Sequence, residues 1–371
     1  MEFTVSKADL VRELNLSQGV VEKKATIPIL ANILMEAKDD RLTLTATDLE
    51  LGIRSTTNAK VKSGGSGTIP AKRLLDYVRL LPDSDIHVKF SDTHWASLTC
   101  GRSRSRIAGM SRESYPELPE MPEDQIQISV SALTSLIQKT IFSISNEDSR
   151  FTLNGALLSV QDGGMTMVAT DGHRLALAYQ SGCAGNGVPN KALLPRKAMV
   201  ELLKLAAEAQ GEDVQMDFST DDNHLFFRLG DRLLMSRKLT GNFPDYERVL
   251  PRSHAHSIAI NREELRGTIE RVAQFADERT RAIKIQFADN EAKVHSSLSE
   301  TGESEESIGI DYIGPTVEIG FNAQYLLDFL RAVSEAEVSF HFKDGQSAGE
   351  LRPAGDGLAY EYRYVVMPMR I

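Results

Sequence analysis

Cysteine is nearly missing: 371 residues contain only Cys100 and Cys183. Two thiols so far apart in the chain exclude a disulfide framework and argue against a structural zinc site. No apolar run is long enough to cross a bilayer, and the N-terminus has no charged-then-apolar leader, so a cytoplasmic location is expected. Catalytic signatures are absent too: no Walker loop, dinucleotide fingerprint, nucleophile elbow or His-x-x-x-His pair. Ser63-Gly64-Gly65-Ser66-Gly67 is glycine-rich, but it lacks the lysine and helix start that would hold a phosphate and reads as a turn. What is present, 41% hydrophobic and 25% charged residues with a formal net charge of −10, can fill a core in each of several domains.

The chain repeats itself. Asp85-Ile86-His87-Val88-Lys89-Phe90, Asp213-Val214-Gln215-Met216-Asp217-Phe218 and Glu337-Val338-Ser339-Phe340-His341-Phe342 each place apolar residues alternately after an acid. Their spacing of roughly 125 residues is one domain, not a solenoid unit. Each copy opens with a strand running into a helix, with Ser6, Ser131 and Asn261 as expected N-caps. A second strand–helix junction follows midway, at Thr68-Ile69-Pro70, Leu193-Leu194-Pro195 and Ile319-Gly320-Phe321-Asn322. Apolar stripes such as Leu74/Tyr77/Val78/Leu81, Leu133/Leu136/Ile137/Thr140/Ile141, Met199/Leu202/Leu203/Ala206 and Leu326/Phe329/Leu330/Val333 predict one buried face per helix. The class is α+β, with two strand–helix–strands units per copy and boundaries near 1–122, 126–251 and 253–371.

Two charge runs stand apart. Arg102, Arg104 and Arg106 alternate with serines and would share one side of a strand, while Glu300, Glu303, Glu305 and Glu306 cluster in the third copy. Two copies joined first domain to third would match these patches at both junctions and close a ring, hiding exposed sheet edges. Ile107 and Phe275 are the candidate apolar contacts there. Thr170-Asp171-Gly172-His173-Arg174 could pass for an acid–base site, but Thr47-Asp48 recurs in the first copy, so the Thr-Asp pair reads as a turn device. No partner nucleophile or metal ligand is visible, and neither an enzyme nor a cofactor is expected. A repeat scaffold unrelated to DNA would share the threefold pattern without needing the paired basic and acidic ends.

Several motifs, taken in order, are familiar: Phe3-Thr4-Val5, Thr26-Ile27-Pro28-Ile29-Leu30, Thr47-Asp48-Leu49-Glu50, Asn154-Gly155, Ala169 to Ala176, Phe243-Pro244-Asp245-Tyr246 and Tyr364 to Arg370. Together they resemble the bacterial replicative sliding clamp family, the beta subunit of DNA polymerase III, from end to end. The resemblance implies three tandem DNA-clamp domains and a homodimeric ring, with helices lining the hole and sheets outside. Duplex DNA would thread the ring without sequence preference, and the polymerase would be tethered for processivity without any covalent chemistry. The acidic net charge then needs only a locally basic inner face, for which Lys72, Arg73, Arg79, Arg196, Lys197 and Lys204 are candidates beside mixed-charge helices such as Arg262 to Arg266.

Carried over position by position, the DNA contacts fall on Lys24, Lys72, Glu147, Arg150, Phe151 and Thr152, with Glu147 acidic and Thr152 replacing an aromatic. A hydrophobic groove for short peptides of the polymerase, the clamp loader, other polymerases and repair proteins falls on Leu153, Thr170, Gly172, His173, Arg174, Leu175, Pro244, Arg248, Val249, Val365, Met367, Pro368, Met369 and Arg370. Pliable methionines suit a site that accepts several ligands, and His173 and Arg174 are expected at its rim. The dimer junction falls on Arg73, Arg102, Arg104, Ser105, Arg106 and Ile107, opposite Gln274, Phe275, Glu300, Glu303, Glu305 and Glu306. Ser105 and Gln274 are polar where the family often has apolar residues, which predicts a salt-sensitive junction.

Overall fold

A computed structural model describes the whole chain except residues 22–26, 162, 186–189, 212, 299–301, 356 and 371. Among the described residues are six α-helices: α1 (Lys7–Ser17), α2 (Ala71–Leu80), α3 (Val130–Thr140), α4 (Arg196–Ala206), α5 (Arg262–Val272) and α6 (Ala323–Ala332). Each follows a strand directly. The Ser6 hydroxyl accepts the Asp9 amide, Asn261 accepts that of Glu264, and Asn322 accepts that of Gln324, so three helix starts are satisfied by side chains. For α3 the cap is Ser129, whose hydroxyl accepts the Ala132 amide, and not Ser131. Serines at 129 and 131 are equal in local chemistry; the strand's length decides between them. On α4 the buried stripe is Ala198, Met199, Leu202 and Leu205, displacing the expected Leu203 and Ala206.

The chain divides into two compact units, Met1–Thr134 with Lys197–Lys238, and Ser135–Arg196 with Leu239–Ile371. Every strand pairing is antiparallel. The first unit holds a five-stranded sheet, ordered Lys60–Ser63, Glu2–Val5, Ile86–Phe90, Trp95–Cys100, Ser103–Ala108. Its eight-stranded sheet runs Ile126–Ser129, Gln215–Thr220, His224–Leu229, Arg232–Arg237, Leu51–Asn58, Arg41–Thr47, Asn32–Lys38, Gly65–Pro70. The second unit holds an eight-stranded sheet, Asn190–Pro195, Gly155–Gln161, Gly164–Thr170, Arg174–Gln180, Tyr360–Val366, Gly349–Ala354, Glu337–Phe342, His256–Asn261. Its four-stranded sheet is ordered Gly302–Gly309, Glu291–Leu298, Ala282–Ala288, Val317–Asn322.

These orders expose the repeat. Ile86, Met216 and Val338 occupy equivalent places, each facing the strand residue just before a helix cap (Val5, Ile128, Ile260). Matching Val214 to Ile86, as the sequence pattern suggests, is therefore off by two residues. A two-residue slip keeps every side chain on its own face, so alternation alone could not detect it. Each eight-stranded sheet is two half-sheets joined at a seam: Arg232–Arg237 against Leu51–Asn58, and Tyr360–Val366 against Arg174–Gln180. The third pair of equivalent strands, Ser103–Ala108 and Gly302–Gly309, lies at the free edges of the two smaller sheets. The core of the first copy gathers Phe3, Leu10, Leu14, Leu74, Leu75, Val78 and Ile86, all essentially inaccessible. Each such side chain contributes about 1.5–3 kcal/mol by leaving water.

Candidate functional site

The second seam carries a groove. Leu153, Thr170, Gly172, Arg174, Leu175, Pro244, Tyr246, Val249, Val365 and Met367 surround a cavity of about 130 Å³. Its floor is sheet: Leu175 pairs with Val365, and both are buried. Its wall is the segment from Phe243 to Leu250, where Phe243, Tyr246, Val249 and Leu250 pack against Val168, Leu175, Leu177 and Val365. The Tyr246 hydroxyl group has its pKa raised by burial and by the nearby Glu247 and Asp245 charges, so it enters the groove neutral. Nine of the fourteen expected groove residues line this space; His173, Arg248, Pro368, Met369 and Arg370 lie beyond it. His173 is exposed, yet its carbonyl accepts the Met367 amide, which ties the rim turn to the last strand. Met369 is held by the Gly320 carbonyl, and Arg248 points outward in an ion pair with Asp245. Tyr246 was missed as a site residue, although it ends the Phe-Pro-Asp-Tyr motif that marks the wall.

Asp171 shapes the rim. Its carboxylate accepts the amides of His173 and Arg174, while the Thr170 hydroxyl accepts that of Gly172. Gly172 has φ +88°, where a Cβ would be strained and would meet Arg150 Nη1 at 3.0 Å. Thr47, Asp48 and Leu49 build the same turn in the first copy, with Leu49 at φ +76°. The Thr-Asp pair is thus a turn device. Arg174 lines the groove and is also engaged behind it: its guanidinium donates to Asp171 (3.1 Å), Asp328 (2.5 Å) and the Phe142 carbonyl (2.5 Å), and lies over the Tyr325 ring. Burial opposes that charge, but Tyr364, Asp328 and Asp171 outweigh it and raise its pKa. With a further 3.4 Å bond to the Tyr364 hydroxyl, four of its five N–H groups are taken, and the side chain braces the strand behind the groove.

Of the DNA-contact candidates, Lys72 belongs to the first unit and Glu147, Arg150, Phe151 and Thr152 to the second. Lys24 lies outside the described residues, as does Glu300 of the junction set. Lys72 and Arg73 are exposed on α2 without an ion-pair partner among the described residues. Arg150 is engaged, bonding Glu147 at 2.9 Å and the Asp171 carbonyl at 2.8 Å, with Phe151 beside it 70% exposed and Thr152 half-buried. Arg79 donates to Asn15, Arg196 to Asn146, Lys197 to Asp48 and Lys204 to Glu201, so these cations are already partnered. At the junction positions Arg102 and Arg104 are exposed with no ion pair among the described residues, and Arg106 lies over Trp95 at 5.0 Å. Ser105 is half-buried and Gln274 exposed. Ile107 is 5% exposed inside the first copy's core, so it offers little surface to a partner; Phe275, 39% exposed, keeps its apolar face. Glu305 pairs with Lys293 and Glu306 with Arg271, whereas Glu303 is exposed with no ion pair among the described residues.

No group of three or more His, Cys, Asp or Glu among the described residues could hold a metal, and no described helix is long and apolar enough to cross a membrane. A threefold α+β repeat of this kind is the architecture of a DNA clamp. Family models for the N-terminal, central and C-terminal domains of the DNA polymerase III beta subunit match residues 1–119, 127–245 and 247–370. Beta sliding clamps from Pseudomonas putida and Caulobacter vibrioides are 34% and 36% identical over the full length of both chains. A crystal structure of the Pseudomonas aeruginosa sliding clamp bound to griselimycin, 33% identical and fully covered in both directions, superposes with a TM-score of 0.93. The chain belongs to the DNA polymerase III beta subunit family, the beta sliding clamps, and serves as a non-catalytic processivity subunit.

Proposed function

We propose that two copies, each with domains at 1–122, 126–251 and 253–371, close head to tail into a ring that encircles duplex DNA in the cytoplasm. The ring tethers the replicative polymerase, and the groove receives short peptides from it, the clamp loader and repair proteins. The observation that carries the ring is the leftover pair of edge strands. Within the chain, Leu233 faces Arg54 and Met235 faces Gly52 across the first seam. The hairpin at Gly101 (φ +56°) corresponds to that at Gly230 (φ +57°), so Arg104 and Arg106 stand where Leu233 and Met235 do. The hairpin at Asp39-Asp40 corresponds to Asp289-Asn290, so Glu305 and Glu303 stand where Arg54 and Gly52 do.

Pairing of the free edges in this register sets Arg104 opposite Glu305 and Arg106 opposite Glu303, opposite charges on both rungs. Retention on DNA then depends on enclosure, so weak, sequence-blind phosphate contacts suffice. The protein loaded on a nicked circle should stay bound and run off once the circle is linearised. Equal retention on both forms would sink the ring. Sedimentation should give a dimer that weakens with added salt, since exposed pairs are screened; a salt-indifferent dimer would contradict the register.

A further inference from the structure

We propose that His254 is a positioning residue for the groove: its bond to the buried Glu350 anchors the chain segment that forms the groove wall. The row of residues crossing the second seam runs Leu175, Val365, Glu350, His341, all on one face of the sheet. The apolar floor therefore passes directly into a charged cluster. Glu350 is fully buried, accepting from Arg352 (2.8 Å) and Arg363 (2.5 Å) on one oxygen and from Arg363 (3.1 Å) and His254 Nε2 (2.8 Å) on the other. Burial alone would raise its pKa, but hydrogen bonds from Arg363 and Arg352 bring it down to about 2. An ionised carboxylate only accepts, so His254 Nε2 is the donor. Arg363 also donates to the Pro251 carbonyl at 3.1 Å.

The counterpart row at the first seam is Gly52, Met235, Phe226, Ser219. A fully buried Phe stands where the second seam has Glu350. The fold thus accepts a hydrocarbon there, and a buried ion cluster is no cheap way to gain stability. Its neighbourhood explains the choice. In the first linker Tyr115, of the motif Tyr115-Pro116-Glu117, donates its hydroxyl to the Thr45 carbonyl at 2.9 Å. The second linker repeats the motif as Phe243-Pro244-Asp245, with no hydroxyl at the position of Tyr115. Among the described residues, the only backbone–backbone hydrogen bonds of 243–250 are their own turn, Val249 and Leu250 to the Tyr246 carbonyl. Polar anchorage comes instead from beyond the wall, through Pro251 and His254.

This assignment rests on the groove being the peptide site, and the test separates the two. Hydrogen exchange on the full-length protein without ligand should show residues 243–250 of His254→Ala losing about tenfold protection, with 115–118 unchanged and His254→Gln restoring it. A C-terminal peptide of the cognate polymerase subunit should bind His254→Ala several-fold more weakly, while retention on circular DNA stays normal. Wild-type exchange rates at 243–250 in His254→Ala would overturn the assignment, as would protection lost evenly across 256–366. Failure of the wild-type protein to bind the peptide would overturn the groove reading instead, leaving the exchange result to stand on its own.

Discussion

The two seams are built alike and end differently. At the first, Gly52 has no side chain, and the space a Cβ would need is taken by Met235 Cε at 2.6 Å and Leu118 Cδ1 at 3.1 Å. Leu118, Pro119, Leu233 and Met235 close over Gly52 and leave no room for even a water. At the second, Leu175 and Val365 form the floor, and Tyr246, at the position equivalent to Leu118, packs beside them as part of a wall. One repeat has thus sealed its seam with side chains of its own. The other leaves an open groove, beside which the linker meets a charged cluster through Pro251 and His254. A groove at one seam and a plug at its twin are local edits of a shared scaffold.

The largest effect should come from Glu350. Removing one member of a buried ion cluster strands the others, so Glu350→Ala should cost about 3–5 kcal/mol in denaturant titration. A loss below 1 kcal/mol would mean that the cluster is not buried in solution. Next, Met235→Ala should cost about 2–4 kcal/mol, because a packed plug leaves a cavity, and Val365→Ala should cost less, since its outer side already faces a groove. If the two cost the same, the plug-versus-groove distinction fails.

Acid should divide the seams too. His341, beside the cluster, has its pKa lowered to about 4 by burial and by the Arg352 and His254 charges, whereas its counterpart Ser219 does not titrate. Between pH 6.5 and about 4 the unfolded chain binds a proton there that the folded one refuses, so stability falls as pH drops through this window, by on the order of 2 kcal/mol. Below it, the stabilisation held by ionised Glu350 is lost as pH falls from the ordinary carboxylate range towards about 2. Exchange followed by mass spectrometry should therefore show the second unit loosening first. Earlier loosening of residues 215–237 would reverse the comparison.

Much of this was legible in the chain. The threefold repeat, the α+β class and the strand–helix junctions follow from alternation, stripes and capping residues, which are local properties. Nine groove positions came from motif resemblance and sit together in space. What sequence could not carry was partnership. Arg174 reads as an available cation until Asp328, 154 residues away, claims it. Lys197 and Lys204 likewise look free until Asp48 and Glu201 are found beside them. Glu350 and His341 were invisible as a cluster, since an acid and a histidine in alternating strands read as solvated positions. Their burial comes from the linker folded over them.

The smallest effect sharpens the comparison most. Met367 is 37% exposed at the groove's edge and is fixed through its backbone to His173, so its side chain does little for the fold. Met367→Ala should leave denaturation and dimer formation unchanged. It should weaken a partner peptide by about tenfold, the loss expected when a flexible apolar anchor leaves an interface. The matched control is Leu118→Ala at the plugged seam, where the same kind of truncation should lower stability and leave peptide affinity alone. Calorimetry on the two variants crosses the axes: one loses ligand and keeps stability, the other the reverse. If both variants moved the same quantity, the seams would differ in degree only, and the first could not be regarded as a sealed copy of the second.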